Sequence, residues 1–168
     1  MLLSFDPQRS KAELMFDFAR EVDEITLSEG KRGSRPLSTL ERNKSAAEPG
    51  LTEMIIHCFE LPDWPVYVVR QSGIRCVDIF EAIRDTYNVV LTTTERSIYQ
   101  AHVRDSAKKH LRRRDLLEGK TLFVGLDWMT PNPLYPNGCW RLEVGTPFSF
   151  EIDDSDRRPE WDGWMGVL

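Results

Sequence analysis

The chain has 168 residues, 40% of them hydrophobic and 29% charged, which fits one soluble domain burying roughly 70% of its unfolded surface. Its net charge of −5 argues against a general nucleic-acid or anionic-membrane binder, and no apolar run approaches the ~20 residues that span a bilayer. Three cysteines (Cys58, Cys76 and Cys139) lie in apolar stretches and read as reduced core residues, and the N-terminus meets Asp6 and Pro7 before any secretory apolar run. A cytoplasmic or nuclear protein is expected.

Residues 1–27 are expected to form an N-terminal segment packing on the core. Residues 10–25 carry two signals: Ser10 to Glu13 is a capping-box pattern, whereas Phe16-Asp17-Phe18 alternates as a strand does. Both readings stand. Residues 28–50 are polar, with only Leu37 and Leu40 as anchors, and read as a flexible polar loop.

The core domain is expected over 51–152. Met54–Phe59 and Val66–Val69 are β-branched and aromatic runs about a proline-bearing turn, an antiparallel pair. Cys76, Ile79, Phe80, Ile83 and Tyr87 then recur at helical spacing. A second helix opens at Thr92-Thr-Thr-Glu95 and is expected to reach about Arg113, burying Ile98, Tyr99, His102 and Val103. Two strands follow, one with Leu122, Val124, Leu126 and Trp128 inward, the other with Trp140, Leu142 and Val144 inward and Arg141 and Glu143 outward. Phe148, Phe150 and Ile152 alternate once more. Residues 153–168 form an acidic tail with Trp161 and Trp164. The predicted class is α+β: an antiparallel sheet of about four to five strands with a helix pair packed on one face.

The succession Ala47-Glu48-Pro49, Ile55-Ile56-His57, Trp64–Val68, Gly73–Ile83, then Asp115–Leu126 and Trp140-Arg141-Leu142 resembles a family of uncharacterised domains, of unknown function, abundant in mushroom-forming basidiomycete fungi. The resemblance covers roughly residues 47–144 and rests on packing patterns in order. It implies a fungal, intracellular α+β domain with no assigned activity and no catalytic or binding residues to carry over. Arg75 stands where that pattern places a Ser or Thr helix cap, a change expected to cost about 1 kcal/mol.

The side chains that carry chemistry are dispersed. His57, Cys58, His102, His110 and Cys139 show none of the spacings that preset a metal site, and adjacent His57 and Cys58 on a strand point to opposite faces. Cys139 has no local cation or helix start to activate its thiol, and Asp127 reads as a solvent-facing carboxylate. No catalytic residue, metal or cofactor is assigned.

The strongest polar feature is the basic run at residues 104–114, with six bases against Asp105. Without interleaved aromatics it reads first as a solvated helix end whose cations suit the macrodipole. The proline-rich loop Met129–Gly138 either presents Leu134 and Tyr135 to a partner or protects a sheet edge. The candidate partner-binding residues are therefore Arg112, Arg113, Leu134, Tyr135, Trp161 and Trp164.

The functional expectation is an intracellular, non-enzymatic module for protein interaction or oligomerisation, with a protein partner or self-association. The alternatives are a small enzyme or small-molecule binder with a pocket between helix pair and sheet, near Trp64, Trp128 and His102, or nucleic-acid binding through 104–114.

Overall fold

A computed structural model of the protein describes residues 14–28, 33–47, 50–99, 110–131, 133–136 and 138–146. The capping pattern at Ser10, the residues His102 and Val103, the Phe148–Ile152 alternation and the acidic tail lie outside the described residues.

At the N-terminus the alternating signal wins. Strand β1 (Leu14–Asp17) buries Leu14 and Phe16, and Phe18 beyond it is fully buried. A 3-10 turn (Val22–Glu24) leads to β2 (Thr26–Ser28). The tract expected as a flexible polar loop carries β3 (Ser34–Pro36) and a one-turn helix, α1 (Thr39–Arg42). Two local features order it: Ser38 and Glu41 form a capping box, and Arg35 grips the Glu41 carboxylate through two hydrogen bonds of 2.7 and 2.8 Å. Leu37, one of its two candidate anchors, is buried, whereas Leu40 is exposed.

The remaining elements are β4 (Glu53–His57), β5 (Val66–Val69), α2 (Cys76–Tyr87), α3 (Thr93–Tyr99), a second 3-10 turn (Arg113–Leu117), β6 (Leu122–Met129) and β7 (Cys139–Gly145). Among the described residues the sheet has seven strands in the order β3-β2-β1-β6-β7-β4-β5, larger than the four to five expected. It is also mixed. β4–β5 and β6–β7 are antiparallel neighbours, but β7 lies parallel to β4, with Ile56 opposite Trp140 and His57 opposite Arg141. The long helical connection from β5 to β6 supplies the crossover that a parallel pairing needs. Residues before position 51 belong to this same sheet, because β1 pairs β6 through Phe16–Phe123 and Asp17–Leu122.

Helix α2 covers one sheet face with the stripe its periodicity predicted: Cys76, Ile79, Phe80, Ile83 and Tyr87 are fully buried. Phe80 lies 5.0 Å from the Phe16 ring and 5.8 Å from Phe123. The alternation predicted for β6 fails because a bulge falls between Phe123 and Gly125. The extra residue shifts the parity, so Phe123 and Leu126 share the core while Val124 is half-buried. Trp128 keeps the parity of Leu126 but is 47% exposed, packing edge-on against Trp140 at 5.2 Å.

Arg75 opens α2 without a side-chain cap, and Asp78 makes up for it. The Asp78 carboxylate accepts the Arg75 backbone N–H at 2.8 Å and is held by the guanidinium groups of both Arg75 and Arg70. Burial pulls the Asp78 carboxyl upward, but these hydrogen bonds hold it well below the usual range.

Helix α3 opens on the expected Thr92–Glu95 capping box, with the Thr92 N–H donating to Glu95 at 2.8 Å. It does not reach Arg113. The chain at 111–113 instead bridges back to 89–91, since Leu91 N–H donates to the Leu111 carbonyl and Arg113 N–H to that of Val89. Nor does α3 bury Ile98, which is 64% exposed; the helix is tethered through Glu95, which accepts from Trp64 Nε1 at 2.9 Å and pairs with Arg113 at 3.1 Å. Among the described residues no helix is long and apolar enough to cross a membrane.

Two predictions follow from this packing. Truncating Phe80 to alanine should cost about 3–5 kcal/mol in urea unfolding, whereas Ile98→Ala should cost under about 0.5 kcal/mol; similar losses would mean that α3 is core. The backbone and side-chain bonds from Thr92 depress Glu95 from 4.5 to about 2. A depressed carboxyl stabilises the fold fully above its unfolded value and loses that contribution as pH falls through the folded one. Glu95→Gln should therefore flatten the loss of stability between pH 4.5 and about 2, read as unfolding midpoints across that window.

Candidate functional site

Helix α2 covers only one face of the sheet at the β4–β5 end, and the opposite face gathers a patch. Along β5, Val66 and Val68 point into the core, so Tyr67 and Val69 point away from it. The same alternation on β4 sends Ile55 and His57 outward, with Ile55 in register with Tyr67. On β7, buried Leu142 sets the parity, and Cys139, Arg141 and Glu143 fall on the outer face. Tyr67 and Val69 are 64 and 63% exposed on β5, and Phe59, in the turn that follows β4, is 52% exposed.

The polar groups here are engaged with each other. Arg141 pairs with Asp127 across the β6–β7 ladder at 3.1 Å and with Glu143 on its own strand, and its guanidinium stands 5.9 Å from the Phe59 ring. His57 lies beside Arg141 in register, edge-on to Phe59 at 5.4 Å and to Tyr135 at 5.5 Å. Its Nδ1 is buried and makes no hydrogen bond within the protein. The proline-rich loop thus folds back over the sheet through Tyr135, while Leu134 beside it is 83% exposed. Burial first, and then neighbouring Cys139 and Tyr67, raises the Tyr135 hydroxyl above its ordinary value. Gly138 closes the loop with φ of +78°, against the Trp128 ring, where any Cβ would come within 2.4 Å of the indole.

The thiols are placed for packing. Cys139 is buried with its Sγ 3.8 Å from the sulfur of Met129, and burial raises its pKa. Cys58 points the other way, into the core, and burial, followed by the Glu60 carboxylate, pushes it up to about 12. Cys76 is buried at the start of α2. Among the described residues no group of three or more His, Cys, Asp or Glu is placed to hold a metal ion.

The basic run ends in intrachain contacts. Arg112 donates to the Asn88 carbonyl at 2.6 Å, and Arg114 to that of Ala19 at 2.8 Å. Arg113 stands 5.0 Å over the Trp64 ring, bonds Glu95 and donates to the Thr86 carbonyl. Trp161 and Trp164 lie outside the described residues. The aromatics expected to line a pocket also separate: Trp64 packs on Tyr99, and Trp128 on Trp140. A cavity of about 200 Å³ lies instead beside β1 and β2, lined by Met15, Asp17, Arg20, Glu24, Ile25 and Leu122. There Arg20 stands 3.6 Å from both Asp17 and Glu24.

The structure therefore brings Tyr135 onto His57, leaves Leu134 exposed beside it in the chain, and sets Arg112 and Arg113 among internal partners. The apolar part of the patch, Phe59, Tyr67 and Val69, was not singled out from sequence. The period of β5 carried the signal, but both of its phases are apolar, so nothing marked one phase as uncovered.

Native-state titration with a disulfide reagent near neutral pH should modify none of the three thiols before unfolding, since all are buried. One equivalent reacting at once would instead mark an activated cysteine.

Residues 14–137 match the family model DUF6699, described as a family of unknown function, and the chain belongs to that family. No curated protein and no solved structure matches it.

Proposed function

We propose that this member of the DUF6699 family is a non-enzymatic module for protein contact, working through the open sheet face around Tyr67. The observation that carries the reading is the exposure of Tyr67 and Val69 on the regular strand β5, with Phe59 exposed in the turn that follows β4. Exposed apolar groups gathered on one rigid surface favour burial against another macromolecule. Tyr135 extends the same surface from the loop, its ring seated on His57, and Leu134 beside it in the chain is exposed. Such a patch, with aromatics at its centre and the Arg141–Asp127 pair at its margin, has the makeup of an interface with an apolar core and a charged rim.

Against catalysis stands the state of the reactive groups. Cys139 is buried beside Met129, not hydrogen-bonded to His57, and the Arg141 cation is occupied by two carboxylates. Against nucleic acid stands the use of Arg112, Arg113 and Arg114 in tying the 3-10 turn to its neighbours.

The test compares the wild type with a Phe59→Ser, Tyr67→Ser, Val69→Ser variant, by sedimentation over a concentration range and by retrieval on immobilised protein. Concentration-dependent association or a specific retrieved protein, lost in the variant, is expected. A wild type that stays monomeric and retrieves nothing overturns the proposal.

A further inference from the structure

Among the described residues strand β5 is an edge: in the sheet order it is terminal and pairs with β4. Arg70 N–H donates to the Thr52 carbonyl at 2.8 Å, so the even-numbered residues of this strand exchange hydrogen bonds with β4. In an antiparallel ladder the alternate residues, Tyr67 and Val69, then turn their N–H and C=O groups outward. Those are also the residues whose side chains stand exposed on the open face. Edges of this kind are commonly blunted by an inward charge, a bulge or a proline within the strand. Val66–Val69 has none, and its register with β4 is regular.

We propose that the occupant of this edge is β5 of a second copy, paired antiparallel about a two-fold axis at Val68. The proposal rests on the reading of the Tyr67 face as an interaction surface, and it names the partner. Pro65 selects the register. Centring the pair on Tyr67 would set Val69 opposite Pro65 of the other copy, which has no N–H to give. Centring it on Val68 sets Tyr67 opposite Val69, so both residues exchange both bonds, and a phenol ring lies beside a β-branched side chain.

Charge permits the same arrangement. Arg70 of each copy then faces uncharged Val66 of the other. The two Arg70 groups stand four residues apart, about 13 Å along the strands and beyond the Debye length of about 8 Å. Each is moreover paired with its own Asp78 at 2.5 Å. Two-fold pairing consumes the same edge in both copies, so assembly through β5 stops at a dimer.

Sedimentation of the full chain across micromolar concentrations tests this. The wild type should show a monomer–dimer equilibrium. Val69→Pro removes an outward N–H and spares the β4 ladder, and should raise the dimer dissociation constant by at least about tenfold with unchanged circular dichroism. Should that variant fail to fold, Tyr67→Lys, a change at an exposed position, is expected to weaken the dimer comparably. Under oxidation Val68→Cys should form a disulfide-linked dimer, because non-hydrogen-bonded antiparallel pairs bring like positions close, and Tyr67→Cys should not. A dimer unaffected at positions 67 and 69, or cross-linked through 67, overturns the register and the proposal. A strict monomer that binds a different, purified protein through Tyr67 overturns self-pairing alone, whereas one that binds nothing through this face overturns the interaction reading as well.

Discussion

The seating of Phe80 between Phe16 and Phe123 is the contact on which the rest of the fold depends. These rings come from the middle of α2, from the first described strand and from the strand after the helical connection. The contact therefore joins segments with more than forty residues between them on either side. Closing loops of that size costs entropy, and burying three aromatic rings together offsets it through both apolar area and edge-to-face geometry. With one helix of twelve residues spent on this seat, the described residues cover the sheet on one face and leave side chains exposed on the other at the β4–β5 end.

A second device recurs at the helical starts. At Ser38–Glu41, Arg75–Asp78, Thr92–Glu95 and Arg112–Asp115, a carboxylate three residues on accepts the backbone N–H of the residue opening the turn. Two of these openings have arginine in place of a hydroxyl residue, and there the acid carries the cap without a side-chain acceptor at the first position. Arginines then brace the acids from neighbouring elements: Arg35 on Glu41, Arg70 on Asp78 and Arg113 on Glu95. The acidic sequence is thereby folded around cations that serve packing, which takes the end of the basic run away from external phosphates.

Seen from the open face, the same economy of parts leaves a patch rather than a pocket. Polar side chains on it are tied laterally along and between strands, while Tyr67 and Val69 at the β5 edge are exposed. His57 and Cys139 share this face but are not joined, because one seats between Phe59 and Tyr135 and the other lies against Met129. Recognition by burial is the use proposed for this surface.

Local periodicity by itself determined α2, the β4–β5 pair, the Thr92 cap and the α+β class, since each depends on side chains within a few residues of one another. The bulge at Phe123–Gly125 was not legible, because one unpaired residue is visible only against its partner strand. Nor were β3 and α1, whose order comes from the bonds between Arg35 and Glu41. The parallel β4–β7 contact, the end of α3 before residue 110 and the distribution of Arg112, Arg113 and Arg114 among carbonyls were decided by tertiary structure alone. So was the open face: alternation separates Tyr67 and Val69 from Val66 and Val68, but only the position of α2 in space decides which pair is covered. Sequence pattern reports the two faces of a strand, and long-range packing chooses between them.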